Sequence, residues 1–229
     1  MPDVGPYIAT HKGGRFYALA GEGGMVMNTN PKNEEMPYGE AKAWQLGYFN
    51  ECMSGFEHQV ASHMMAEGLV EESLVITRTI HDRYHAFKRN PFNEIECSDH
   101  YTRAMSSYGT FINACGFSYH GPKGYIGFSP KLSPDDFKAA FTASEGWGSY
   151  MQKRTEKEFS CHIKLEYGRL KLRKVIIDLH PDHKANQVYM NFVASEVESA
   201  LAQNGSTCEV VIRDPIVIKE GEFLFIKII

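Results

Sequence analysis

The sequence predicts an α+β protein of 229 residues, with a helical part over residues 1–152 and a β-rich C-terminal domain over residues 156–229. Two observations predict this division. Residues 1–40 are rich in Gly, Pro and Asn, but from about residue 41 to residue 115 apolar residues recur every three or four positions, which is the period of an α-helix. After about residue 152 they alternate with polar residues, which is the period of a strand with one buried face.

The spacing predicts four helices in the first part of the chain. The first runs from Ala41 to Glu67, either unbroken or with a break near Ser54 and Gly55, and ends at Gly68, because glycine commonly terminates a helix. The second ends before Pro91, since a residue preceding proline disfavours helical geometry. The third carries apolar residues at helical spacing from 101 to 115 and ends at Gly116, and a shorter fourth helix covers residues 134–150. The second helix carries an apolar stripe at helical spacing: Ile76, Ile80, Tyr84 and Phe87.

The remaining segments predict strands. Residues 117–130 favour two short aromatic strands around a turn at residues 120–124. Alternating apolar residues predict further strands at 159–165, 175–179 and 188–192. Asn204 and Gly205 form the dipeptide typical of a tight hairpin. The C-terminal part is therefore expected to be a small antiparallel sheet or sandwich.

Composition excludes several function classes. The formal net charge is −4, which gives no reason to expect a nucleic acid partner. No apolar run approaches the about 20 residues that span a bilayer, and no secretory signal pattern opens the chain, so the compartment is not assigned. The five cysteines form no CxxC pair. His81 and His85 are four residues apart, but no third ligand accompanies them, so neither a metal nor another cofactor is expected.

Three motif blocks carry a resemblance to a known family. They are residues 13–19 (GGRFYAL), 47–61 (GYFNECMSGFEHQVA) and 89–105 (RNPFNEIECSDHYTRAM). In order and spacing they resemble the end of the catalytic region of glycoside hydrolase family 116, which includes bile-acid β-glucosidase, a non-lysosomal glucosylceramidase. The resemblance implies an (α/α)6 barrel. It also implies a retaining mechanism whose Glu nucleophile and Asp acid/base lie upstream of these blocks.

The resemblance also implies which residues of this chain bind the sugar. Glu57 matches a carboxylate near the glucose 2-hydroxyl, and Glu94 with Arg103 matches a pair that holds the outer hydroxyls. A buried carboxylate accepts hydroxyl hydrogen bonds and a guanidinium donates several in a fixed fork. A further arginine of some family members falls at Gly109, so that contact is missing here.

Helix geometry constrains the pair formed by Glu94 and Arg103. On one straight helix, nine residues rotate by about 900° and rise about 13.5 Å, so the two side chains would point to opposite faces. They can hold one sugar only if Glu94 precedes the helix. We therefore expect the third helix to begin at Cys97 or Ser98, with Ser98 as its N-cap.

The number of helices sets what this chain can do alone. Three or four helices cannot close a barrel of twelve, and retaining hydrolysis needs two carboxyl groups about 5–5.5 Å apart. We expect this chain to form the C-terminal helices of an incomplete (α/α)6 barrel and to be inactive alone. Its expected substrate is a β-glucoside, and its expected partner is the missing N-terminal part of the same enzyme. This predicts exposed apolar faces on the helices. The alternative is a non-catalytic accessory module that binds carbohydrate or a partner chain.

Overall fold

The computed structural model describes residues 18, 21–25, 52–92 and 104–229. The chain divides into two compact units, Met1–Phe111 and Ile112–Ile229. In the described part of the first unit the regular elements are helices, and residues 18, 21–25 and 84–92 are not helical. The second unit contains all ten strands of the described residues. The predicted boundary between residues 152 and 156 stays a prediction.

Three α-helices lie in the described residues: α1 (Ser54–Ala66), α2 (Val70–Arg83) and α3 (Ala104–Cys115). The predicted helix ends at Gly68 and Gly116 are confirmed, because these glycines follow α1 and α3 with positive φ angles of 84° and 54°. Only a residue without Cβ adopts such angles at little cost. The predicted start of the first helix at Ala41 and that of the third at Cys97 or Ser98 lie outside the described residues.

Helix α2 differs from its prediction in length and in its buried face. It ends at Arg83, well before Pro91, and its buried residues are Ser73, Ile76, Ile80 and Arg83. Tyr84 follows the helix as its C-cap, and Phe87 is 95% exposed. The apolar stripe was therefore predicted correctly for Ile76 and Ile80 and incorrectly for Phe87, because the helix stops one turn before it.

A small cluster joins α1 to α2. Ala61 of α1 is buried with Ile76 and Ile80 of α2. The Ser73 hydroxyl donates a hydrogen bond of 2.7 Å to the Ala61 carbonyl oxygen. This bond satisfies a polar group that would otherwise be buried at a cost of roughly 1–3 kcal/mol. The short connection through Gly68 thus places the two helices side by side.

The second unit is built of ten strands. Two short strands come first and flank the 3-10 turn Gly121–Lys123, as predicted. The strands are β1 (Ser118–His120), β2 (Tyr125–Phe128), β3 (Asp136–Ala143), β4 (Gly146–Arg154), β5 (Phe159–Asp178), β6 (Val188–Phe192), β7 (Ser195–Glu196), β8 (Ser199–Asn204), β9 (Thr207–Lys219) and β10 (Phe223–Ile228).

Strand β5 is the centre of the sheet. It has 20 residues, and its N-terminal half pairs antiparallel with β4 on one side and β10 on the other. Its C-terminal half pairs antiparallel with β9 and parallel with β2. Strand β6 lies beyond β10, and β3 lies beyond β4. The predicted hairpin turn at Asn204 and Gly205 is confirmed between β8 and β9.

The core of this unit is formed by one face of the long strands. The predicted alternation is confirmed in β5, where Phe159, Cys161, Ile163 and Leu165 are all fully buried. Burying one such side chain contributes about 1.5–3 kcal/mol. On β10 the buried residues are Leu224, Ile226 and Ile228, so Phe223 and Phe225, which alternate with them, face away from the core.

Tyr150 of β4 is the largest aromatic side chain in this core. Its ring stacks on Phe128 with 3.7 Å between ring centroids. Its hydroxyl donates to Gln152 Oε1 at 2.6 Å, and the Gln152 amide donates to the Pro134 carbonyl oxygen at 2.6 Å. Burial raises the pKa of Tyr150 well above its ordinary value. This polar chain is thus satisfied inside an apolar core.

The predicted fold class is wrong in its most specific part. Residues 134–150 were predicted to form a helix, but they form β3 and the start of β4, a hairpin whose register pairs Asp136 with Lys153 and Ala143 with Gly146. Alanines in this segment favour a helix, yet the sheet buries Phe141 and Tyr150, and that tertiary gain outweighs a weak local preference. The described residues form a large sheet with three short helices and not the helices of an (α/α)6 barrel.

Candidate functional site

Glu57 is the predicted sugar-binding residue that the structure describes. It lies in the first turn of α1 and is 2% exposed. Its Oε1 accepts hydrogen bonds from the Met25 backbone N–H at 2.8 Å and from Arg83 Nη1 at 2.9 Å. Its Oε2 pairs with Arg83 Nη2. A carboxylate near a helix N-terminus is also stabilised by the helix dipole.

Arg83 completes this buried pair from the last turn of α2. It is 1% exposed, and its Nη1 also donates to the Gly23 carbonyl oxygen at 3.0 Å. Burial alone would lower the pKa of Arg83, but the hydrogen bond and the charge of Glu57 raise it above its ordinary value. The guanidinium is therefore held in its charged form, and the two side chains form a bidentate pair.

A second carboxylate–guanidinium pair joins Glu22 to Arg89. Arg89 Nη2 lies 2.6 Å from Glu22 Oε2, and both side chains are more than nine-tenths buried. The Arg89 guanidinium also lies over the ring of Tyr84, 5.6 Å from its centroid, where a cation is attracted by the π-system. Arg89 is the first residue of the motif block 89–105, so this pair fixes the point at which that block begins.

The space around these pairs is tightly filled. A Cβ added to Gly24 would lie 2.6 Å from Cys52 Sγ, so only glycine fits there. Burial, and to a lesser extent the charge of Glu57, raises the pKa of the Cys52 thiol to about 11. Such a thiol is protonated at neutral pH and is not a nucleophile.

The structure also gives a physical reason for Gly109, where a family arginine is missing. A Cβ at Gly109 would lie 2.8 Å from Ser62 Oγ, so α1 and α3 approach each other closely at this point. An arginine would not fit without separating the helices. Beside it lies a shallow groove of about 310 Å³, lined by residues that include Phe56, Gln59 and Met105.

The other predicted site residues lie outside the described residues. These are Glu94 and Arg103, so the described residues do not test whether they lie beside Glu57. Their sugar-binding role and that of Glu57 stay predictions. Within residues 18, 21–25, 52–92 and 104–229, no group of three or more metal-ligating side chains is close enough to hold an ion. In the same residues, no helix is both long and apolar enough to span a bilayer.

Comparison with known proteins yields no family assignment. No protein-family model matches the chain, and no curated protein matches it. Among the solved structures that are similar to part of this chain are two glycoside hydrolases. One is the α-L-rhamnosidase from Dictyoglumus thermophilum, with 14% identity and a TM-score of 0.31 over 57% of this chain and 14% of that one. The other is a GH127 β-L-arabinofuranosidase from Geobacillus Stearothermophilus T6, with 9% identity and a TM-score of 0.33 over 56% and 18%.

This chain therefore spans less than a fifth of either solved protein. The family 116 resemblance rests on the motif blocks alone.

Sequence reasoning missed the arginine partners of Glu57 and Glu22. Arg83 and Arg89 were not predicted to take part in any site, although a signal for Arg83 was present. It follows Ile76 and Ile80 at helical spacing, so it shares their buried face. A charged residue on an apolar stripe indicates a buried ion pair, because an unpaired charge there would be too costly.

Proposed function

We propose that this chain is part of a retaining β-glucosidase-like glycoside hydrolase and contributes glucose-binding residues to it. In this proposal the nucleophile and the acid/base belong to a segment upstream of the chain. The substrate is a β-glucoside, and the required partner is the N-terminal part of the same enzyme. Glu94 and Arg103 contact the sugar directly.

The convergence of the motif-bearing segments supports the proposal. Glu57 belongs to the block 47–61, Arg89 opens the block 89–105, and Glu22 lies just after the block 13–19. The pairs Glu57–Arg83 and Glu22–Arg89 hold residues 22–25, 52–57 and 83–89 together through buried charges. Buried ion pairs contribute little net stability but specify one arrangement of the chain. A site that must hold a sugar rigidly needs such an arrangement.

The contacts of Glu57 narrow its proposed role. A carboxylate has about four lone-pair positions, and three hydrogen bonds already reach Glu57. At most one position is left for a sugar hydroxyl. We therefore propose that Glu57 chiefly positions the block 47–61, while Glu94 and Arg103 provide the main contacts.

Exposed apolar side chains on the helices also support a chain that needs a partner segment. Phe56 of α1 is 43% exposed, Val75 of α2 is 47% exposed and Met105 of α3 is 91% exposed. Burial of such side chains against a partner segment would remove apolar surface from water at about 25 cal/mol per Å².

Binding of a glucose-configured iminosugar, 1-deoxynojirimycin, tests the proposal. Titration calorimetry would use the product of the longest open reading frame that contains this chain. Glu94→Gln and Arg103→Lys should each weaken binding by about 10- to 100-fold, because each removes a hydrogen bond to a charged group worth about 1.5–3 kcal/mol.

Matched controls lie on α2. Glu71 and Arg78 are exposed, so Glu71→Gln and Arg78→Lys should leave the affinity unchanged. Equal effects of the control and site variants, or no binding by the unaltered protein, would reject the assigned sugar contacts.

A further inference from the structure

The outer face of the sheet carries exposed aromatic rings. Along β4, Gly148, Tyr150 and Gln152 are buried, so the alternate residues point to the other side. Trp147 is one of these and is 49% exposed. Tyr167 of β5 is 61% exposed and Phe223 of β10 is 51% exposed. Aromatic side chains of this size are usually covered in a folded protein.

The strand register places these three rings on one surface. Trp147 and Tyr167 are directly opposite each other, next to a β-bulge at Trp147/Gly148. Phe223 pairs with Lys164, which in turn pairs with Ser149, two residues beyond Trp147. Because paired residues point to the same side of a sheet, the rings span three adjacent strands. These strands are spaced by about 4.8 Å, which gives a platform about 10 Å across.

The charges among the rings are neutralised locally. Lys164 Nζ lies 2.9 Å from Glu166, and Arg169 Nη2 lies 2.5 Å from Glu145. Further along the same face, Lys227 pairs with Glu158 at 3.0 Å. A surface that binds a polyanion presents unpaired basic groups. These basic groups already have carboxylate partners, so the face suits a neutral ligand.

The same ion pairs argue against a protein as the occupant. The centre of a protein interface is depleted in charged residues, yet the pair Lys164–Glu166 lies between Tyr167 and Phe223. A pyranose ring fits this pattern because it has an apolar C–H face that stacks on an aromatic ring and a rim of hydroxyl groups. Lys164 would donate to those hydroxyls and Glu166 would accept from them.

We propose that the face formed by Trp147, Tyr167, Lys164, Glu166 and Phe223 binds a neutral carbohydrate chain. The binding needs no hydrolysis and no other domain. It therefore does not depend on the proposed glycosidase function. If the chain binds a neutral glycan but is not part of any glucosidase, this inference is supported and the function proposed above is rejected.

Tryptophan fluorescence of the full 229-residue chain provides the test. The chain has two tryptophans, so Trp44→Phe makes Trp147 the sole reporter. The probes are soluble neutral polysaccharides, namely hydroxyethyl cellulose, xyloglucan, galactomannan and starch, with carboxymethyl cellulose as the anionic comparison. At least one neutral probe should shift the emission of Trp147 in a saturable manner, and the anionic probe should bind more weakly.

Affinity electrophoresis in gels containing the same polysaccharides then measures the variants. Trp147→Ala and Tyr167→Ala should each weaken binding by about tenfold, the loss expected for one stacked ring. Val211→Ala and Val217→Ala are the matched controls, because these exposed side chains lie on β9 and should leave binding unchanged. Unchanged circular dichroism of the exposed-site variants shows that they fold.

Three outcomes would overturn the proposal. The first is that no neutral probe binds at millimolar sugar. The second is that Trp147→Ala binds with the same affinity as the unaltered chain. The third is that the anionic probe binds more strongly than the neutral probes. Sedimentation velocity adds a fourth, since a dimer that Trp147→Ala dissociates would make this face a contact between copies of the chain.

Discussion

Replacing Glu57 by Gln tests the buried pair that links α1 to α2. Glutamine keeps the volume of the side chain but offers one acceptor oxygen where the carboxylate has two. Its oxygen can still accept the hydrogen bond from the Met25 N–H. Its NH2 group would face the Arg83 guanidinium, and because both groups are hydrogen-bond donors they cannot bond to each other. Arg83, 1% exposed, is left charged without a counterion.

The size of the effect follows from these contacts. Removing one partner of a buried pair costs about 3–5 kcal/mol, because the remaining charge stays desolvated. That is a large share of a typical domain stability of about 5–15 kcal/mol. The double variant Glu57→Gln with Arg83→Met removes both charges, and we expect it to recover more than half of the loss.

Urea unfolding measures this change. Because the chain has two units, one free energy does not describe it. Circular dichroism at 222 nm follows the helices, and Trp147 fluorescence in a Trp44→Phe background follows the sheet. Only the helical transition should move.

The exposed pair Arg78–Asp82 of the same helix is the matched control. We expect Arg78→Met to leave the transition within the resolution of the assay. The reasoning is refuted if Glu57→Gln shifts the helical transition no more than this control does.

Three further predictions concern the sheet, a helix end and the thiols. Tyr150→Phe leaves the buried Gln152 Oε1 without its hydroxyl donor and should lower stability by about 1–3 kcal/mol in urea unfolding. Gly116→Ala should cost more than about 3 kcal/mol, and Gly205→Ala only about 1–3 kcal/mol. The Cβ at Gly116 would lie 2.0 Å from a backbone oxygen, whereas Gly205 faces open space. Cys52 and Cys161, with pKa values raised by burial to about 11 and about 12, should resist Ellman's reagent at pH 8 in the native state. Because burial raises the pKa of Cys52 in the folded state, the protonated thiol contributes its full stability below the ordinary pKa of 9.0. Thermal stability should therefore fall as the pH rises from 9.0 through about 11.

The strand pattern was predictable because its period is local. Alternation in 159–165 predicted the buried face of β5, and Asn204 with Gly205 predicted the hairpin. The prediction for residues 134–150 was wrong because their alanine content indicates a helix. Their strand structure is determined by pairing with β5, a contact distant along the chain. The packing of Phe141 and Tyr150 against β5 is not visible in local spacing.

In the candidate site, the sequence predicted the residues that lie in the motif blocks but not the residues that pair with them. Glu57 was found through its block, but its partner Arg83 lies 26 residues away. That pairing depends on how α1 and α2 lie together, which depends in turn on the turn at Gly68. A search for charged residues on apolar helical stripes would have identified Arg83. Nothing local would have paired Glu22 with Arg89.

The most direct test of the proposed function is hydrolysis of p-nitrophenyl β-D-glucoside by two proteins, compared at equal concentration. One is the 229-residue chain, and the other is the product of the longest open reading frame that contains it. The longer protein should hydrolyse the glucoside with retention of configuration, and the chain alone should show no rate above the uncatalysed reaction. A monomeric, cooperatively folded 229-residue chain that hydrolyses the glucoside would contradict the account.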